Sequence, residues 1–194
     1  LQNATHFVGV AYPPNKISKT GLKMQSFSAC FMKFCLALNS YKMRKNDMNK
    51  EYIIDEMHPE DAAQAAAIEA DIFSMPWSEN GFRTSILSPD TLYLCVRDGE
   101  SMIAYCGLLQ SFEEADITNV AVRSEYRSQG IGRAMLEALM EGGKKRGITR
   151  FTLEVRVSNE AALHLYESLG FVSAGIRKNF YERPKEDAVI MWKE

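Results

Sequence analysis

"YRSQGIGRAM" (residues 126–135) is the stretch on which the fold of this chain turns. Gly130 and Gly132 stand two residues apart, between Arg127 and Arg133, and run directly into a helical pattern. A helix start leaves several N–H groups unpaired and carries a partial positive charge. Glycine lets the backbone wrap a bulky anion there without Cβ clashes, and the two arginines add charge-assisted hydrogen bonds. The stretch reads as an anion cradle suited to a pyrophosphate; an ordinary glycine-rich turn ahead of a helix is the alternative. It is not a Gly-x-x-x-x-Gly-Lys-Ser/Thr loop. Nor is it the Gly-x-Gly-x-x-Gly of dinucleotide folds, because position 135 is Met.

Downstream, "GIGRAMLEALMEGGKKRG" reads as a helix with Gly132, Met135, Leu136 and Leu139 on one face and Gly147 at its end. The internal Gly142-Gly143 pair weakens it, at about 1 kcal/mol per glycine relative to alanine. "FTLEVRV" alternates as a strand, with Phe151, Leu153, Val155 and Val157 on one face and Thr152, Glu154 and Arg156 on the other. "NEAALHLYESLGF" is a helix with stripe Ala162, Leu165, Tyr166, Leu169 and a terminal Gly170. "VSAGIRKNFY" and "DAVIMWK" form two closing strands around a polar turn containing Pro184. Upstream lies the strand "ITNVAV". Before it, "TLYLCV" and "MIAYCGLLQSF" form a hairpin turning at Asp98-Gly99. Further back come a helix over "SENGFRTSIL" capped by Ser78, a helix over "PEDAAQAAAIEADIF" with Pro59 in its first turn, and a strand "EYIIDEM". This order predicts α/β architecture: a mixed central sheet with helices on both faces.

The 194 residues suffice for one domain with a real core. Apolar content of 46% and charged content of 25% are those of a globular protein. A net charge of −2 gives no global basic field, so no nucleic acid partner is expected. No apolar run is long enough to cross a bilayer, so no membrane partner is expected either. Cys30, Cys35, Cys95 and Cys106 form no Cys-x-x-Cys pair and no Cys/His cluster of zinc spacing; they read as reduced thiols of a reducing cytoplasm, with no metal. Residues 1–47 have no sustained period. The chain begins with Leu and Met48 precedes a clean domain start, so 1–47 is expected to be an extension, disordered or upstream of the working protein, ahead of a domain over 48–194.

Arg127-x-x-Gly130-x-Gly132, between "ITNVAV" and an amphipathic helix, resembles the acyl-CoA pyrophosphate loop of the GNAT superfamily of N-acetyltransferases. "LEVRVSNEAALHLYESLGF" resembles the next part of that family's core. From about Tyr52 to Trp192 the chain falls into the same register. The stretches "PWSE", "NVAV", "LYESLGF", "IRKNFY" and "EDAVIM" resemble the ribosomal-protein-alanine N-acetyltransferases of RimI type within it. The resemblance implies the GNAT fold, acetyl-CoA as acetyl donor, and the N-terminal alanine of a small-subunit ribosomal protein as acceptor. It implies that Val120, Ala121 and Val122 offer backbone groups to the pantetheine arm. It implies that Arg127, Ser128, Gln129, Gly130, Ile131, Gly132 and Arg133 cradle the pyrophosphate, and that Asn159 hydrogen-bonds the cofactor.

The resemblance also makes Glu154 the general base and Tyr166 the general acid. An α-amine with a pKa of roughly 8 is largely protonated at neutral pH and must lose a proton before it attacks a thioester. The departing thiolate needs a proton in return. Read without the family, Glu154 is a solvated or salt-bridged glutamate and Tyr166 a core tyrosine. Trp77, Arg177, Asn179 and Tyr181 are expected to line the acceptor channel, with packing as their alternative role. Glu79 reads as a helix first-turn acid, and His58 and His164 have no metal-like partners. No Cys is placed as an activated nucleophile beside a His, which favours direct transfer over an acyl-enzyme. Two rivals stay open at this point: an acetyltransferase for a lysine, metabolite or antibiotic amine, and a non-catalytic module that senses acetyl-CoA.

Overall fold

The computed structural model describes residues 41–44 and 51–194. Of the expected extension over 1–47, only the strand β1 (Tyr41–Arg44) is described, and it pairs antiparallel with β2 (Glu51–Glu56); the rest lies outside the described residues. Then follow α1 (Ala62–Ile72), α2 (Glu79–Ile86), β3 (Thr91–Asp98), β4 (Ser101–Ser111) and β5 (Glu114–Val122). The chain closes with α3 (Ile131–Lys145), β6 (Arg150–Arg156), α4 (Glu160–Ser168), β7 (Val172–Glu182) and β8 (Lys185–Lys193).

These strands make one sheet in the order β1-β2-β3-β4-β5-β6-β8-β7. Only β5 and β6 run parallel; the other neighbours are antiparallel. The expected mixed sheet with helices on both faces is therefore present. One face carries α3 and α4 over a core that includes Leu92, Leu94, Val120, Val122, Met135, Leu136, Leu139, Phe151, Leu153 and Val155. The other carries α1 and α2 over Ile68, Phe82, Tyr93, Met102 and Tyr105. Each such fully buried side chain contributes about 1.5–3 kcal/mol.

Local chemistry explains the boundaries. Ser78 Oγ accepts the Gly81 N–H at 3.1 Å and starts α2, a cap worth about 1 kcal/mol. Gly147 (φ +85°) and Gly170 (φ +87°) end α3 and α4 in the left-handed region that glycine tolerates. The β7–β8 hairpin turns at Arg183-Pro184, since Glu182 opposes Lys185. The more apolar β8 takes the inner place beside β6, and the largely exposed β7 forms the edge.

Three expectations change. Asp98 pairs with Ser101, so the β3–β4 turn residues are Gly99 (φ +62°) and Glu100, one place later than Asp98-Gly99. Val157 is 41% exposed and lies past β6, where the chain leaves the sheet for α4. The Gly142-Gly143 pair is a packing requirement. A Cβ on Gly142 would stand 2.8 Å from Leu92 Cδ2, and one on Gly143 would stand 2.8 Å from Phe151 Cε1. These glycines let α3 lie close against β3 and β6.

Candidate active site

The site begins with a fault in the sheet. β5 pairs with β6 only from Glu114↔Arg150 to Asp116↔Thr152. Directly after, the β4–β5 register slips: Leu108 opposes Ile117, Gly107 opposes Asn119, and Thr118 is left over. Such a bulge bends its strand. Beyond it β5 is paired on the β4 side alone, and β6 from Leu153 to Arg156 on the β8 side alone. The sheet splits into two limbs.

Antiparallel pairing alternates, and Arg123 N–H donates to Ile103 O at 2.9 Å. The groups of Ala121, two residues back, therefore face Tyr105 of β4, while those of Val120 and Val122 turn toward the split. Arg127 Nε, which donates to Val122 O at 3.0 Å, reaches that strand edge.

The glycine-rich loop closes the β5 limb. Ser128 (φ +58°) and Gly130 (φ +79°) are both left-handed and flank Gln129 at the head of α3, the alternating backbone from which anion-binding nests are built. Gln129 Nε2 donates to Glu125 O at 3.0 Å and its Oε1 accepts from Tyr52 at 3.3 Å, which ties the loop to β2. Ile131 sends its side chain into the core and leaves its backbone to the loop. A cavity of about 250 Å³ opens between Val122, Arg127, Gly130 and Gly132 on one side and Ala161 and Leu165 of α4 on the other. Arg133 lies on its rim and reaches Ser168 Oγ at 2.5 Å and Glu137 at 3.7 Å. Asn159 is buried and caps α4, its Oδ1 accepting the Ala162 N–H at 3.2 Å.

Glu154 stands on the β6 limb, its side chain 12% exposed, with Arg177 Nη1 2.8 Å from Oε1. Burial pushes its carboxyl above the ordinary glutamate range, Arg177 holds it back, and the Asp116 charge adds to the rise. Tyr166 of α4 is buried against Phe171, ring centroids 5.8 Å apart, and burial raises its phenol so that it stays protonated. Tyr181 lies beside Glu154. Its hydroxyl donates to Glu154 O at 3.3 Å, and burial pushes its phenol up.

The four expected acceptor residues divide. Arg177 and Tyr181 converge on Glu154. Asn179 (φ +52°) is exposed at the β7 register break, its N–H held by Asp187 Oδ1 at 2.7 Å. Trp77 lies across the cleft between α1 and α2, its ring 5.5 Å from Phe82. The two walls touch where Ser74 Oγ donates to Arg183 O at 2.6 Å. Arg156 fastens the hairpin turn. It bonds Arg183 O and Pro184 O at 3.0 Å and Glu186 at 2.9 Å, and lies 4.0 Å over the Tyr181 ring. Burial alone would raise the Glu186 carboxyl; bonds from Ser158 and Arg156 outweigh it and hold it below the usual range.

Sequence reading missed Glu69. This carboxylate is 1% exposed under the Trp77 segment and accepts from Tyr105 Oη, from Asn119 Nδ2 at 3.3 Å and from Trp77 N–H at 3.1 Å. Its signal was present: Ala62, Ala65 and Glu69 follow the i, i+3, i+7 spacing of a buried face. Asp116, hydrogen-bonded by Thr152 at the apex of the split, was missed because the strand was read from Ile117.

Residues 62–171 match the model of the Acetyltransferase (GNAT) family. Over 140 residues the chain is 39% identical to the [ribosomal protein bS18]-alanine N-acetyltransferase of Escherichia coli K12, covering 71% of this chain and 94% of that one. The crystal structure of the ribosomal-protein-S18-alanine N-acetyltransferase from Escherichia coli superposes with a TM-score of 0.67 at 38% identity, over 73% of this chain and 92% of that one. The PaiA N-acetyltransferase of Thermoplasma acidophilum, solved in complex with coenzyme A, shares the fold at a TM-score of 0.62 and 20% identity, over 74% and 98%. Among the described residues, no helix is long and apolar enough to cross a membrane.

Proposed function

The chain belongs to the GNAT family of acetyltransferases and is an N-acetyltransferase; from that premise we propose that it acetylates the N-terminal alanine of a small-subunit ribosomal protein with acetyl-CoA, Glu154 acting as general base and Tyr166 as general acid. The observation that carries this reading is the split opened at Thr118. Outward-facing backbone groups and the anion nest lie on one limb, and a buried carboxylate with an acceptor wall lies on the other. The acceptor identity rests on the likeness to the bS18-alanine enzymes.

The residues fit acetyl-CoA. Left-handed Ser128 and Gly130 give a cradle for two phosphates, Arg127 and Arg133 flank it, and Val120 and Val122 offer strand-edge groups to an amide-bearing arm. Bound acetyl-CoA supplies an activated acetyl thioester. Glu154, raised by burial, takes a proton from the α-ammonium, which frees the nitrogen lone pair to form the N–C bond. Tyr166 gives its proton to the sulfur as the C–S bond breaks and recovers one from the nitrogen through the site. The Ser74–Arg183 hydrogen bond joins the segment after α1 to the β7–β8 turn.

The test uses the full chain, acetyl-CoA and two peptides: one with a free N-terminal alanine, its twin with that amine blocked and an internal lysine kept. CoA thiol release is followed and the acetyl group located by mass spectrometry. Acetyl on the alanine amine alone is the expected result. Acetyl on lysine, or no transfer to either peptide, refutes the acceptor assignment.

A further inference from the structure

The ion pair at the centre of the site is lopsided. Glu154 is 12% exposed and Arg177 is 45% exposed. Arg177 sits on the edge strand beside the register break that follows it, and in the same pose its guanidinium lies 5.1 Å from the centre of the Phe180 ring. A nearly buried acid is thus capped by a cation that is nearly half exposed. An N-terminal α-ammonium carries the same charge and the same kind of donor, and can take the place Arg177 holds at Oε1.

We propose that Arg177 is the resting counter-ion of Glu154, standing where the acceptor's α-ammonium binds, and that the acceptor displaces it toward solvent. This rests on the reading of Glu154 as general base. The exchange keeps the charge of the pocket constant: one cation leaves the carboxylate as another arrives, so no unpaired charge is buried at any stage. The other groups that face Glu154 do not supply this balance. Asp116 from β5 is a like charge, Tyr181 from β7 donates to the backbone carbonyl, and Arg156 on the same strand is held by Glu186. Without Arg177, burial and Asp116 would act unopposed and the free enzyme would hold its base protonated at a higher pH. After the swap the ammonium gives one proton to the carboxylate, leaving a neutral acid and a neutral amine.

The experiment compares the full-length wild type with Arg177→Gln, Arg177→Lys and Glu154→Gln. For Arg177→Gln, the ascending limb of kcat/KM against pH is expected to move to higher pH. Above that limb, the KM for an alanine-terminated peptide is expected to fall by up to about fivefold, the ratio corresponding to a partly exposed ion pair that no longer has to be broken. Arg177→Lys is expected to return the limb toward wild type. An unmoved or down-shifted limb, or a raised peptide KM, overturns the proposal. Carboxyl-13C NMR of glutamate-labelled enzyme, with the Glu154 signal assigned by its loss in Glu154→Gln, reads the same titration without turnover. Full turnover in Glu154→Gln removes the base reading; the NMR titration then still decides whether Arg177 is the counter-ion.

Discussion

Two adjacent glycines in α3 are expected to respond differently to the same substitution. Gly→Ala in a helix interior gains about 1 kcal/mol from propensity alone. Against this stands the space each new methyl group meets. At Gly142 the nearest atom is Leu92 Cδ2 at 2.8 Å, the end of a flexible side chain that can rotate away. At Gly143 the methyl meets Phe151 Cε1 at 2.8 Å, Phe151 Cζ at 3.0 Å and Ile148 Cδ1 at 3.2 Å. Phe151 is 1% exposed and its ring is locked in the core, so the helix itself must shift. Overpacking of this kind costs about 1–3 kcal/mol. Gly142→Ala is therefore expected to be near neutral, and Gly143→Ala to lose about 1 kcal/mol net, about 2–4 °C in Tm for a domain of this size. Urea unfolding at constant m gives both values, and Phe151→Leu in the Gly143→Ala background is expected to recover the loss through a double-mutant cycle. Stabilisation by both alanines would refute the packing argument and restore the view that the pair merely weakens the helix.

Glu154→Gln is expected to bind acetyl-CoA nearly as wild type by calorimetry and to lower kcat by about 10²-fold or more; unchanged turnover removes Glu154 from the mechanism. At Gly130 an added Cβ meets no atom within 4 Å, but Gly130→Val forces a branched residue to φ +79°, so the nest should distort and the Kd for CoA rise, while wild-type affinity would sink the cradle. Burial raises the Glu69 carboxyl, so the native state holds its proton at a pH where the unfolded chain has lost it. That contribution to stability is complete below the ordinary glutamate pKa and is lost as pH rises through the folded value. The unfolding free energy of wild type minus that of Glu69→Gln should accordingly fall with rising pH across this window; a difference that grows instead would show the three donors outweighing burial.

The sequence by itself determined what depends on neighbours along the chain. Ser78 caps α2 three residues ahead of Gly81, Gly147 and Gly170 end their helices, and Phe151, Leu153 and Val155 alternate with Thr152, Glu154 and Arg156. The loop at the head of α3 was legible for the same reason: the glycine, the helix start and the flanking arginines fall within ten residues. Only the tertiary structure decided what depends on approach between distant segments. Thr118 becomes a bulge only against Gly107 and Leu108, and the split follows from it. The Gly142-Gly143 pair looked like a weakness until Leu92 and Phe151 came against it. Glu154 and Arg177 lie 23 positions apart and meet across β8, whose pairing sets the register of both their strands. Local conformation follows from backbone sterics and hydrogen bonds a few residues away, whereas register, burial and charge pairing are set by which surfaces the sheet brings together.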